Sequence, residues 1–349
     1  MTDNREDNVE TEAECLSTGV KLSDLPARVR DLVDSVRRSP GVNPKSAKGF
    51  LEGSSITPED LVHWAEFDHP DADSYGRRLV WDGGCFELMV MSWVDGDMAA
   101  IHDHGYTQWG AVKLFGPAEH AIFKMRDGRL TTSERCDYEA GDVVAVGHDL
   151  IHQMGNMGQK PFLSLHLYGC YGREGDITAD ARLYELDAGV IQRTSGGVFF
   201  GLPEEDVQAT EPNLRADAPT TLRHKVERLR RAVTASGSRQ SGELQDEAAE
   251  RLTAELTSRE LWSSFGDDLA AFAADDSSLG RRSSEIARRE LTATCDLLIE
   301  LSSAGLLSDP LTDGLSNLAG ESPDARAEAF AGRIADRLGV ELPLPVAAA

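Results

Sequence analysis

The spacing of apolar residues changes period twice along the chain. Leu22, Leu25, Val29, Leu32, Val33 and Val36 recur at helical intervals, and Ser39-Pro40-Gly41 breaks the run. Thr57-Pro58-Glu59-Asp60 predicts a further helix start, with Thr57 as N-cap, Pro58 in the first turn and Asp60 at the third helical position. Residues 22–70 are thus predicted helical. From Tyr75 to about Gly201, short runs of Val, Leu, Ile, Met and Phe alternate with turns: Asp82-Gly83-Gly84, Asp95-Gly96, Phe115-Gly116-Pro117, Arg126-Asp127-Gly128 and Ala140-Gly141-Asp142. Turns at this spacing predict an antiparallel barrel or jelly roll. Residues 204–220, rich in Glu, Asp, Pro and Ala, predict a linker. The helical period then returns. Val226, Leu229 and Val233 lie on one stripe, and Ser236 to Ser241 predicts a break. Leu291, Cys295, Leu298 and Leu301 form another stripe, ended near Gly305, which places Cys295 in a core. Glu227/Arg231, Glu247/Arg251 and Glu255/Arg259 are spaced i,i+4, as on exposed helix faces. The expected organisation is a disordered acidic tail at 1–18, a mainly β domain with N-terminal helices at 19–203, the linker, and a helical extension at 221–349.

Charge narrows the partners. The 349 residues hold 35 Lys and Arg against 60 Asp and Glu, a net charge of -25. Such a chain is repelled by nucleic-acid phosphates and by anionic membrane surfaces, so neither is expected as a partner. Scarce lysine beside common arginine is a composition found with salt-adapted or high-GC sources. No stretch approaches the apolar length of a membrane span. The first residues lack the basic and apolar regions of a signal peptide. Cys15, Cys85, Cys136, Cys170 and Cys295 are scattered without paired spacing, which predicts a reducing cytoplasm and no Cys-x-x-Cys zinc site.

The candidate chemistry sits in Gly96-Asp97-Met98-Ala99-Ala100-Ile101-His102-Asp103-His104 and in His152-Gln153-Met154-Gly155-Asn156. Two histidines one residue apart on a strand share a face. A third, about fifty residues on, can close a metal site if the sheet folds back. The spacing resembles that of the two metal-binding motifs of cupin barrels. Many cupins place a glutamate four or five residues after the second histidine; here Gln108 and Trp109 stand there. The resulting ligand set is three neutral imidazoles, which suits iron, zinc, copper or nickel and leaves positions open for substrate. Asn156 lies in a Gly-Asn-Met-Gly turn and reads as turn chemistry rather than as a ligand.

From about Leu51 to Thr194 the chain resembles the cysteine dioxygenases, mononuclear iron thiol dioxygenases of the cupin superfamily. Trp64-Ala65-Glu66-Phe67-Asp68, Tyr75-Gly76-Arg77-Arg78-Leu79-Val80, Trp93 with Gly96 before Ile101-His102-Asp103-His104, and Ser164-Leu165-His166-Leu167-Tyr168 follow one another in the family's order. The resemblance implies a cupin jelly roll and Fe(2+) on His102, His104 and His152. It implies that a thiolate and an amine of the substrate fill two open positions and dioxygen the third, both oxygens going onto the sulfur of L-cysteine to give the sulfinate. A neutral ligand set leaves the cation's charge available to deprotonate the thiol. Arg77 is implied to bind the substrate carboxylate through its planar fork, with Tyr75 and Trp93 as further substrate-binding residues and Arg78 pointing away.

Ser164, His166 and Tyr168 are implied as a catalytic hydrogen-bond relay ending at the tyrosine hydroxyl, although a half-buried strand would put the intervening leucines inside and these residues in solvent. Animal members carry a cysteine five residues after the second metal histidine, crosslinked to the tyrosine matching Tyr168. Here that position is Trp109, so no crosslink is expected, as in bacterial members. Trp109 is expected to fill the space near the iron, and Cys170 is too close along the strand to replace the cysteine. Relatives acting on 3-mercaptopropionate usually carry glutamine at the Arg77 position, and such a thiol is the alternative substrate. Two other readings stand beside these: a non-catalytic metal-binding cupin sensor whose C-terminal helices signal to a partner, and a manganese or nickel cupin. The extension carries no chemical motif and is expected to serve a protein partner or self-association.

Overall fold

The computed structural model describes residues 20–70, 73–156, 158, 160–173, 176–195, 197–200, 202–238, 250–305 and 314–344. The acidic tail at 1–18, Cys15 and Glu247 lie outside them.

Two helices open the described chain, α1 (Ala27–Arg37) and α2 (Pro44–Gly53). Val29, Leu32, Val33 and Val36 form the buried stripe of α1, as their spacing predicts. A reciprocal capping box starts α2: Asn43 Oδ1 accepts from Ser46 N at 3.0 Å, and Ser46 Oγ accepts from Asn43 N at 2.8 Å. The start at Thr57 is also present, but it opens only a single 3-10 turn, Pro58–Asp60.

Eleven strands follow among the described residues: β1 (Gly76–Asp82), β2 (Phe86–Trp93), β3 (Trp109–Leu114), β4 (Ala118–Arg126), β5 (Arg129–Tyr138), β6 (Val143–Gly147), β7 (Ile151–Gly155), β8 (Phe162–Gly169), β9 (Ala181–Glu185), β10 (Val190–Thr194) and β11 (Val207–Pro212). They pair antiparallel in three sheets, ordered β1-β2-β8-β3-β6, β5-β4-β7 and β11-β10-β9. This is the predicted jelly roll. The β4–β5 hairpin turns on Asp127 (φ 49°) and Gly128 (φ 76°), the two left-handed residues that match strand twist in a tight hairpin.

Strands β2 and β8 are buried on both faces, because the N-terminal helices cover the outside of the five-stranded sheet. Leu163, Leu165 and Leu167 of β8 pack in the core shared with Val29, Leu32 and Leu51. Tyr168 faces the barrel interior with Met89, Met91 and Trp93. A second apolar layer thus takes the leucines, and the polar face of β8 is left to line the interior.

Residues 204–220 are not the free connection that their composition suggests. They carry a 3-10 turn, strand β11, which pairs with β10, and the start of α3 (Ala218–Ser238). The extension continues through α4, whose described part is 250–256, then α5 (Arg259–Ala274), α6 (Ser278–Ser303) and α7 (Pro323–Leu338). Leu222, Val226 and Leu229 meet Trp262, Phe265, Leu291, Cys295 and Phe330 in a core of its own. The predicted break at 236–241 falls on the end of α3, and 239–249 lie outside the described residues; Gly305 (φ 73°) follows the end of α6.

The extension docks on β4 and β5 through a buried ion cluster. Arg135 pairs with Glu119, with Glu290 at 2.5 Å and with Glu227 at 3.6 Å; Arg223 pairs with Glu119, with Glu227 at 3.7 Å and with Glu290 at 3.8 Å. None of these side chains is more than 6% exposed. Glu227 therefore does not form the exposed pair with Arg231, which reaches Asp97 at 3.5 Å instead. Glu255 likewise turns to Lys225, and Arg259 donates to the Gly339 carbonyl at 3.3 Å. Among the described residues no helix is long and apolar enough to cross a membrane.

Candidate metal centre

Backbone pairing builds the centre. His102 and His152 exchange both backbone hydrogen bonds, each 2.9 Å, across an antiparallel bridge, so their side chains stand on one face. His104 lies two residues on and shares that face. The Nε2 of His152 lies 3.2 Å from that of His102 and 3.1 Å from that of His104, and all three side chains are buried. Burial pushes all three imidazoles below their ordinary pKa, so they are neutral donors. His102 Nδ1 donates to the Ala100 carbonyl at 2.7 Å, which leaves its Nε2 lone pair facing the other two rings. A metal bonded at ~2.1 Å to three nitrogens at right angles would hold them about 3 Å apart, so the donor set fits one.

Two supports of this centre escaped sequence reasoning. His120 on β4 places Nε2 2.7 Å from His152 Nδ1, fixing the ring from behind. Asp103, between the first two histidines, accepts from Gly105 N at 3.2 Å, Arg182 N at 2.8 Å and Arg182 Nε at 2.5 Å, which holds that turn against β9. Alternation alone marks neither, because a lone strand histidine and a turn aspartate are ordinary features.

The other expected residues lie around the same small cavity. Tyr75, Arg77, His102, His104 and Tyr168 line it together with Met89, Met91 and Thr178. Arg77 Nη2 donates to Thr178 Oγ1 at 3.1 Å, while Arg78 is exposed and pairs with Glu66. Tyr75 stacks on Trp93, ring centroids 4.8 Å apart. Ser164, His166 and Tyr168 form a chain: Ser164 Oγ lies 2.7 Å from His166 Nε2, and His166 Nδ1 lies 2.8 Å from Tyr168 Oη. Trp93 Nε1, which can only donate, gives to Ser164 Oγ at 2.8 Å. Ser164 then has its own proton for His166 Nε2, His166 Nδ1 donates to Tyr168 Oη, and the tyrosine proton is left for the cavity. Burial, then Arg77, hold His166 near a pKa of about 3, and burial pushes the Tyr168 hydroxyl well up, so both stay neutral.

Trp109 is the exception. It packs on Gly169 in the outer core beneath the N-terminal helices, not beside the three histidines. The next residue, Gly110, faces inward, and a Cβ there would stand 2.6 Å from the Tyr168 ring. Strand alternation thus sends the indole outward, and the missing side chain at Gly110 makes room for the tyrosine. Asn156 serves its turn, accepting from Gly158 N at 2.9 Å and donating to the Lys160 carbonyl at 3.0 Å.

Residues 27–171 match the family model described as cysteine dioxygenase type I. Cysteine dioxygenase type 1 of Danio rerio is 26% identical over 153 residues, covering 41% of this chain and 75% of that one. The Homo sapiens protein of the same name is 29% identical over 133 residues, covering 36% of this chain and 65% of its own, just under two thirds. Among solved structures, TT1209 from Thermus thermophilus covers 33% of this chain and 98% of its own, at 14% identity and a TM-score of 0.27. The matched stretch ends just after β8 and stops short of the helical extension. Through residues 27–171 the chain is thus similar to the cysteine dioxygenases.

Proposed function

We propose that the chain is an iron(II)-dependent thiol dioxygenase of the cytoplasm that adds both atoms of O2 to the sulfur of L-cysteine, giving cysteine sulfinate. The observation that carries this reading is a cavity lined by His102, His104, Arg77 and Tyr168, with His152 closing a three-imidazole donor set against the two histidines. Bound by His102, His104 and His152, iron(II) would supply the coordination positions at which a thiolate and dioxygen meet.

The chain's own residues do the rest. Arg77 offers a guanidinium to the substrate carboxylate, and Thr178 holds one of its nitrogens in place. Tyr75, stacked against Trp93, stiffens the strand that carries Arg77. The relay from Trp93 through Ser164 and His166 aims the Tyr168 proton into the cavity, where it can donate to a substrate oxygen. Burial keeps His166 neutral, so the relay is a chain of uncharged donors and acceptors. Among the described residues, the one carboxylate that lines the cavity is Asp103, which is tied to Arg182. A neutral donor set favours an anionic thiolate over the neutral thiol.

Arg77 favours a substrate with a carboxylate, and its position is what supports cysteine over a thiol lacking one. The test is oxygen uptake by protein loaded with iron under anaerobic conditions, with L-cysteine and 3-mercaptopropionate side by side. Uptake with cysteine supports the whole reading. Uptake with 3-mercaptopropionate alone keeps the chemistry and moves the substrate. No uptake with either thiol sinks the enzymatic reading and favours a metal-binding sensor.

A further inference from the structure

A second set of metal-type donors lies at the seam between the barrel and the extension. Glu185 ends β9, Asp187 sits in the turn to β10, and His224 belongs to α3. The His224 side chain is 2% exposed, and neither ring nitrogen has a hydrogen-bond partner among the described residues. Its Nε2 points at two carboxylate oxygens, Glu185 Oε1 at 3.8 Å and Asp187 Oδ1 at 3.6 Å. All three atoms lie within 4.8 Å of one another.

These distances are too long for hydrogen bonds. They are close to what a shared cation imposes: bonds of about 2.0–2.2 Å at tetrahedral angles hold ligand atoms about 3.3–3.6 Å apart. An imidazole buried without a partner is costly, and coordination would satisfy its Nε2. Burial keeps the ring neutral, the form that ligates. One imidazole with two carboxylates suits zinc better than calcium or magnesium, which prefer all-oxygen shells.

Neighbouring cations share these carboxylates, and the Asp187 N–H also donates to Glu185 Oε1 at 3.3 Å. Arg228 pairs with Asp187 through Oδ2 and with Glu185 at 3.3 Å. Lys225 reaches Asp187 Oδ1 at 3.4 Å but sits closer to Glu255. Arg251 also reaches Glu255 at 3.9 Å, so three carboxylates stand against three cations, and Asp187 Oδ1 is held only by the long lysine contact.

We propose that Glu185, Asp187 and His224 form a zinc-class divalent cation site that clamps α3 to the β9–β10 hairpin, with water completing the shell. The experiment is zinc binding to the full-length, metal-free protein by equilibrium dialysis at buffered free zinc. Two equivalents per chain are expected for the wild type, one on the three histidines and one here. Asp187→Asn should retain one. Because Asp187 and Glu185 are both partly exposed, Glu185→Gln repeats the test if the first variant folds poorly. Cobalt(II) in place of zinc gives a second readout, an absorption band present in His152→Ala and absent from His152→Ala/Asp187→Asn. A single equivalent in the wild type, or a second equivalent that survives both carboxylate substitutions, overturns the proposal. Neither result bears on the dioxygenase reading, whose ligands are different residues.

Discussion

The chain buries two polar clusters on opposite terms. The candidate metal centre gathers three imidazoles that burial holds neutral, with His152 Nε2 3.1–3.2 Å from the Nε2 atoms of the other two. The ion cluster beneath the extension gathers two arginines and three glutamates paired with one another. Burial works against the charged forms there too, but Arg223 and Arg135 pull the Glu119 carboxyl below its ordinary range, and Glu290, Glu119 and Glu227 push Arg135 up. The first cluster gathers neutral donors suited to a cation, and the second is held by opposite charges paired within it. They meet on β4, where Glu119 turns to Arg223 and its neighbour His120 turns to His152. The extension thus packs directly behind the residue that steadies a candidate metal ligand.

Separating the two clusters by mutation is the sharpest test of that contrast. His152→Ala should abolish metal binding at the three-histidine centre and lower thiol-dependent oxygen uptake by roughly a thousandfold or more, the several kcal/mol that a catalytic metal supplies. The melting temperature of the metal-free protein should change little; metal analysis and circular dichroism check both. Arg223→Met should do the reverse. Removing one partner of a buried ion group costs about 3–5 kcal/mol, so chemical denaturation should show a large stability loss while the folded fraction keeps its metal. If Arg223→Met lost its metal and kept its stability, the division of labour drawn here would be wrong.

Smaller effects sharpen the picture. Arg77→Gln removes a charged hydrogen-bond donor worth about 1.5–3 kcal/mol, which predicts roughly a 10- to 100-fold fall in kcat/KM for cysteine, with less change for a thiol lacking a carboxylate. His120→Ala should weaken metal affinity about 10- to 100-fold, as loss of an outer hydrogen bond to a ligand histidine does, and His120→Gln should restore part of it. Competition with a chelating dye reads both variants.

Acid should separate the clusters by pH window. His166 in the fold sits near a pKa of about 3, below the ordinary 6.5, so the unfolded chain takes up the proton first. Stability is therefore lost as the pH falls from 6.5 towards 3, by about 1.4 kcal/mol per unit for this one group. Glu119 is held below its ordinary 4.5, so its contribution is present above that pH and lost below it. The melting temperature of metal-free protein should begin to fall above about pH 5 and fall faster below about 4.5, and His166→Gln should make the first limb shallower, the other buried histidines supplying the rest. A flat profile between about pH 6.5 and 5 would contradict the account of the neutral cluster.

How legible each cluster was follows from how local its signal is. His102 and His104 declare themselves by period two, and His152 by its own short motif. The β-rich middle and the stripes of α1 and α6 are likewise local. The ion cluster draws on positions 119, 135, 223, 227 and 290, on four elements that no periodicity connects. The i,i+4 spacing of Glu227 and Arg231 pointed to solvent, whereas the docked barrel drew them to different partners. The composition of 204–220 suggested a linker because β11 pairs only with the edge of β10 and is largely exposed. Trp109 was misplaced by one step of alternation: the position facing the tyrosine is Gly110.

The most direct measurement of the central claim is the fate of labelled dioxygen. Iron-loaded protein turning over L-cysteine under isotopically labelled O2 is predicted to give cysteine sulfinate carrying two labelled oxygens, with Arg77→Gln lowering its yield and His152→Ala abolishing it. A product with one labelled oxygen or none, or no sulfinate at all, would contradict the account.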